Sequence, residues 1–299
     1  MTVLAAADGS GSPGFGGIAE TAYAPLVARA LAPEIAPDFG FRDRSAEAIY
    51  RSMQPELEAY RGSRLSMLAV ITSTWVIDHV VGSFTSRHPH AQIVDLGAGL
   101  STRFQRIDNG MLTWIDVDVP EIIALRETLF PFCDRRRTVG VEVGSPGWMD
   151  RLALRRAPTL VVAEGMFNYL PAASLSAVLA DFAGATGRGT EVLHDFFSRH
   201  FARRLAPCPS VDRRAAASVR GIRRGAELVH DGWDVVRVHH AYEAMGLPFS
   251  LIGPVLRRLT GVSPHGVAHL VCTAAPARTQ ADEPPSPEAA APRPPNAAS

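Results

Sequence analysis

A chain of 299 residues, 46% hydrophobic and 20% charged, has a globular composition and enough length to bury a full core in one embellished domain. Its 30 basic and 30 acidic residues cancel, which removes the global field that would draw nucleic acid or an anionic membrane. Cys133, Cys208 and Cys272 are odd in number and far apart, so neither a metal site nor a disulfide framework is expected; reduced thiols in a cytoplasmic protein are.

Residues 1–17 are small and Gly-rich, without the basic region of a signal peptide, and are expected to be flexible. Nowhere does a run approach the ~20 apolar residues of a membrane span. From 18 to 86 the pattern is helical. "GIAETAYAPLVARALA" and "SAEAIYRSMQPELEAY" repeat apolar residues at three and four. "SMLAVITSTWVIDHVVGSF" is apolar throughout, and its length favours a buried helix over the strand its β-branched content would allow.

From 90 to 274 short apolar runs alternate with helical segments. Strands are expected at "AQIVDLG", "LTWID", "TVGVEV", "APTLVVAEG" and "TEVLHDFF", with "WDVVRVHH" and "HGVAHLVCTA" as a late pair. "VPEIIALRETLF" and "ASLSAVLADFAGAT" are the intervening helices. This is the signature of βαβ units and a parallel sheet buried on both faces, seven strands in a doubly wound, Rossmann-like α/β fold with an antiparallel edge. Residues 198–230 form an insertion where acceptor selectivity would be built, and 275–299 read as a disordered Pro/Ala-rich tail. The Arg135–Arg137 and Arg223–Arg224 clusters lack interleaved aromatics and read as solvated faces.

The chemistry concentrates in "IVDLGAGLSTRF", an apolar strand ending on Asp95 and followed by Gly97 and Gly99. In an open α/β sheet such a turn sits where ligands bind. A dinucleotide loop would carry a third small residue where this chain has Thr102. S-adenosylmethionine (SAM) instead needs an acid and open backbone, which Asp95, Gly97 and Gly99 supply. "TWIDVDVPE" then places Asp116 and Asp118, 21 and 23 positions after Asp95, at the end of the next strand. A carboxylate there can accept ribose hydroxyls, and Asp118 is the first choice.

"VDLGAGLSTRFQRID", "WIDVDVPEII", "PGWMD" and "AEGMFNYL" together resemble the leucine carboxyl methyltransferase superfamily, and within it the bacterial branch of polyketide O-methyltransferases of the tetracenomycin type. The N-terminal "ETAYAPLVARALAPEIAPDFGFRD" shares that branch's opening pattern, so the likeness runs from about 18 to 274. It implies a class I SAM-dependent methyltransferase fold with extra N-terminal helices, SAM as methyl donor, S-adenosylhomocysteine as product and a small-molecule acceptor in secondary metabolism. No nucleic-acid or membrane partner is implied, and the oligomeric state is left open.

Carried over by that resemblance, Gly97 and Gly99 line the methionyl part of SAM, with Asp95 and Thr102 beside them. Arg103 would pair with the carboxylate of SAM or of the acceptor. Asp118 would hold the ribose, with Asp116 as the lesser candidate; Glu142 and Val143 would lie near the adenine, and Glu164 between cofactor and acceptor. Tyr169 would line the pocket or join the core. The family's Arg ahead of the position of Asp78 is absent, a contact that Arg29 or Arg61 would have to supply.

A carboxylate acceptor needs only positioning, whereas a phenol needs a general base, for which His194 and Asp195 at the end of the fifth strand are the candidates. The expected catalytic group is thus Arg103, Glu164 and His194. A protein C-terminal carboxyl methyltransferase, an NAD-dependent dehydrogenase and a non-catalytic SAM-binding module remain as alternatives.

Overall fold

Strands form where apolar runs can be buried from both sides. In the computed structural model, which describes residues 18–205 and 219–275, they are β1 (Gln92–Leu96), β2 (Thr113–Asp118), β3 (Arg136–Gly140), β4 (Thr159–Ala163), β5 (Glu191–Phe197), β6 (Trp233–His239) and β7 (His265–Cys272). They lie in the order β3-β2-β1-β4-β5-β7-β6, parallel except for β7, which runs against β5 and β6. This is the doubly wound, seven-stranded, Rossmann-like sheet expected from the sequence.

The strand pleat divides the core in two. Val94, Leu96, Ile115, Val117, Val161, Ala163, Val192 and Phe196 point to one face, covered by α7 (Trp148–Leu152) and α8 (Ala172–Thr186). Ile93, Trp114, Leu160, Val162, Leu193 and Val267 point to the other, covered by Val76, Ile77, Val81 and Phe84 of α4 (Arg64–Arg87). Because both faces are dry, the strands read as continuous apolar runs.

Helix α4 serves two layers. Its second half lies on the sheet, while Met67, Leu68, Ala69 and Ile71 of its first half pack with Ala28 of α1 (Ile18–Ala30) and with Ala32 and Ile35 of α2 (Ala32–Ile35). A boundary near residue 86 therefore detaches α4 from the sheet it covers. Its 24 residues also exceed the expected apolar run: by length and composition alone α4 could cross a membrane, but 56% of its most apolar window is buried inside this fold. Helix α3 (Arg44–Ser52) completes the cap and starts at Asp43, whose carboxylate accepts the Ala46 N–H at 2.9 Å.

Two boundaries moved. The third strand ends at Gly140, so Glu142 and Val143 lie in the turn beyond it; the second helical run stops at Ser52, and residues 56–60 continue as a 3-10 turn. Residues 1–17, the middle of the insertion (206–218, with Cys208) and the tail from 276 lie outside the described residues.

Candidate active site

The order reverses at β1, whose neighbours are β2 and β4, and ligands bind at the carboxyl ends of such a pair. There β1 runs into a loop where Gly97 and Gly99 hold φ of +62° and +46°, a region where a Cβ is unwelcome. A Cβ on Gly97 would stand 2.9 Å from the Met166 Cβ, and one on Gly99 would stand 3.5 Å from Ala22 of the cap helix α1. The loop is a strip of bare backbone between the cap and the turn after β4.

Asp118, at the end of β2, braces this strip. Its two carboxylate oxygens accept the Gly99 and Val119 N–H groups, each at 2.8 Å. Burial, partly offset by these two bonds, raises its pKa. Asp116 is placed elsewhere. It is fully buried, accepts the Trp114 Nε1–H at 2.9 Å and pairs with Arg126 at 2.6 Å, so it cannot reach a ribose. Arg126, on α6 (Pro120–Leu129), donates in turn to the carbonyls of Gly99 at 2.8 Å and Ser101 at 3.1 Å. Asp116 is thus a support of the loop, acting through Arg126, an arginine that local spacing gave no reason to single out.

Arg103 is turned into the protein's own acids. Its guanidinium is 1% exposed and is enclosed by the protein's own acids: Asp78 at 2.7 Å, Asp95 at 3.7 Å, and Glu164, to which Nη2 donates. Burial alone would lower its pKa, but Glu164, Asp78 and Asp95 outweigh it and raise it. Nε and Nη2 are taken by Asp78 and Glu164, while Nη1 makes no hydrogen bond and lies 3.7 Å from Asp95. Thr102 likewise turns inward, bonded to Asp43 and receiving Arg106 Nη1 at 2.6 Å.

Glu164, just past β4, is held by Arg103 and by the Thr74 hydroxyl at 2.6 Å, with its side chain still 16% exposed. Asp95 is buried, one of its oxygens has no hydrogen-bond donor, and desolvation first, then neighbouring acids against Arg103, lift its pKa to about 7. Around these acids runs a network that the sequence did not announce: Arg106 bridges Asp78 and Asp43, and Arg29 reaches Asp43 at 3.5 Å and the Leu100 carbonyl at 2.8 Å. Of the two arginines named as substitutes, Arg29 meets the loop, while Arg61 stays half-exposed on Glu34 and Glu58.

His194 does not reach this cleft. It points with Val192 and Phe196 to the α8 face, whereas Asp195 points with Leu193 to the α4 face. The imidazole lies under Phe167, ring centres 5.3 Å apart, and burial drops its pKa to about 4. Asp195 is raised by burial to about 7, and its oxygens accept the Gly165 N–H at 2.6 Å and Asn168 Nδ2–H at 3.1 Å, fixing the turn that carries Glu164 and Met166. Tyr169 ends that turn and is 46% exposed, hence outside the core. Glu142 is exposed, and its carbonyl accepts the Ser145 N–H at 3.1 Å.

The model of the leucine carboxyl methyltransferase family matches residues 19–183, more than half of the chain and all the elements just described up to α8. The chain belongs to that family. Tetracenomycin polyketide synthesis O-methyltransferase TcmP of Streptomyces glaucescens is 37% identical to this member over 155 residues. The match takes in 52% of this chain and 57% of TcmP, so the chain spans little more than half of that curated relative. Two solved structures share the fold at 15% identity and a TM-score of 0.50. One is a putative methyltransferase from Thermobifida fusca YX, with 83% of this chain and 95% of that one covered. The other is a DUF574 family protein from Streptomyces avermitilis, with 82% and 97% covered.

The residues at hand fit SAM. Two positive-φ glycines leave the backbone bare where a nucleoside-bearing amino acid must approach, and Glu164 offers a carboxylate at the edge of the cleft. A buried ionic network adjoins it, in which Arg29, Arg103 and Arg106 face Asp43, Asp78, Asp95 and Glu164. Acids such as Glu164 and Asp95 beside a cleft favour a cationic ligand over a phosphate.

Proposed function

We propose that this family member transfers a methyl group from SAM to an oxygen, carboxylate or hydroxyl, of a small polyketide-type or aromatic acceptor, in the cytoplasm. The observation that carries the reading is the bare Gly97–Gly99 strip at the switch point, braced by Asp118 and faced by Glu164. The acceptor class rests on the likeness to the tetracenomycin enzyme.

SAM, when bound, supplies an electrophilic methyl that an acceptor oxygen takes by in-line displacement. The chain's contribution is to orient the two, and orientation can be worth ~7–11 kcal/mol. Gly97 and Gly99 admit the methionyl part, with the flexible Met166 thioether free to repack beside it. Each Asp118 oxygen accepts one backbone N–H and keeps a lone pair for a ribose hydroxyl. Val143, with Glu142, borders the adenine end. Glu164 receives the cationic end of the amino acid, and Arg103 with Thr74 positions Glu164. Asp95 supplies a second negative charge beneath once the cation draws it into its ionised form.

Calorimetric titration with SAM, S-adenosylhomocysteine and NAD tests the cofactor: the first two are expected to bind, and binding of NAD alone overturns the reading. Metabolite extracts of the source organism, incubated with protein and SAM carrying a labelled methyl, then reveal the acceptor by mass spectrometry. SAM binding without any labelled product would reduce the chain to a SAM-binding module.

A further inference from the structure

One helix of this fold carries apolar side chains on both sides. In Phe249–Thr260 the inward residues Phe249 and Leu256 pack on the cap-side core with Tyr242 and Met245. On the outward side Leu251, Val255 and Leu259 are 69%, 56% and 77% exposed, with Ile252 at 43% beside them and Leu247 at 76% just before the first turn. Steps of four residues align Leu251, Val255 and Leu259 in a single ridge. The inward face alone seats the helix, so the ridge serves no purpose within the chain as described.

We propose that this ridge is a two-fold interface with a second copy of the chain. A ridge of four-residue spacing fits the grooves of its own symmetry mate, crossing near −50°, and an isologous contact needs only one self-complementary patch. At these exposures the five side chains present on the order of 500 Å² of apolar surface, about the largest patch a monomer ordinarily shows. Two such patches facing one another cover roughly 1,000 Å², the size at which a specific interface begins.

Charge separates this partner from a membrane. The helix has no acid, and of its two arginines Arg257 is drawn aside to Glu243 at 2.9 Å. That leaves an uncharged ridge, the character of an interface core. A helix lying on anionic lipid would be expected to show a strongly basic polar face, and Arg258 alone does not provide one.

Light scattering and sedimentation equilibrium of the full chain, from about 1 to 100 µM, test the proposal. Twice the chain mass is expected at the upper end. Leu251→Glu combined with Leu259→Glu should return the mass to that of a monomer without changing the circular dichroism spectrum, whereas Phe132→Ser, at an 88% exposed aromatic elsewhere, should leave the dimer intact. Val255→Cys, at the ridge centre, should give an interchain disulfide on mild oxidation that the unaltered chain does not form; this readout decides the matter if the double variant fails to fold. A monomer throughout the range, a double variant that stays dimeric, or absence of the Val255→Cys cross-link overturns the proposal. So does a monomer that sediments with phosphatidylserine vesicles, which would assign the ridge to a membrane.

Discussion

Replacing Gly97 by Ala isolates what the loop demands of its backbone. At φ +62° an added Cβ meets local strain of about 1–2 kcal/mol. It also stands 2.9 Å from the Met166 Cβ and 3.0 Å from its Cγ, too near the backbone for a rotamer change to relieve. Overpacking of that kind costs about 1–3 kcal/mol. The stiffer unfolded chain returns about 0.4–1 kcal/mol, leaving a net loss of about 1–5 kcal/mol. In a Met166→Gly background, which removes the Cβ as well, the steric part vanishes, so Gly97→Ala should then cost only about 1 kcal/mol, a coupling of about 1–3 kcal/mol in a double-mutant cycle. Urea unfolding of the four proteins measures this, and SAM titration of the folded Gly97→Ala variant should show at least a tenfold weaker affinity. Loss of less than about 0.5 kcal/mol, or no coupling to Met166, would refute the close approach described for this loop.

Asp116→Ala should destabilise by about 3–5 kcal/mol, because Arg126 would keep its buried charge without its partner; urea unfolding checks it, and a loss below 1 kcal/mol would contradict the burial. Asp95→Asn should change the pH dependence of stability. An acid raised to about 7 stabilises the fold fully below its unfolded pKa near 4, and that contribution is lost as pH rises to 7. His194 and His265, lowered by burial to about 4 and 3, act oppositely: their contribution is full above about 6.5 and is lost as pH falls. The opposing slopes offset one another in the native chain, so Asp95→Asn should gain on it by up to about 1.4 kcal/mol per pH unit between 4 and 7, and parallel curves would refute the shift. If a cationic ligand draws Asp95 into its charged form, SAM binding near pH 6 should release a proton, read from calorimetry in buffers of different ionisation enthalpy; the same experiment on Asp95→Asn should show that release abolished.

The sheet was legible because strands buried on both faces are continuous apolar runs, and the runs that became β1, β2, β4, β5 and β7 needed no tertiary knowledge. The glycine loop was legible for a similar reason: backbone demands are local, and Gly97 and Gly99 state theirs in the sequence. What a charged side chain meets is not local. Arg103 finds Asp78 25 residues earlier and Glu164 61 residues later, and only the packing of α4 against the sheet reveals that its Nε and Nη2 are already engaged. His194 and Asp195 are adjacent in sequence yet face opposite sides of β5, and pattern alone does not say which side carries the cleft. Thr102 failed for a related reason, since its partner Asp43 is supplied by the cap.

Asp43 connects these observations. It caps α3 through Ala46, accepts Thr102 and Arg106 from the segment after the glycine loop, and lies 3.5 Å from Arg29 of α1. The cap therefore closes on the loop through ionic contacts, and the same arginines that hold it also balance the acids beside the cleft. Removing one acid from a dry network leaves its arginines unpaired, which costs more than the pair itself contributes. Burial first, with Asp116 and Glu164 adding to it against Arg103 and Arg126, raises Asp95 to about 7, so a cation seated beside it would draw that acid into its charged form. The ionic contacts that hold the cap on the loop thus set acids around the cleft, an arrangement that suits the cationic donor proposed above better than a pyrophosphate.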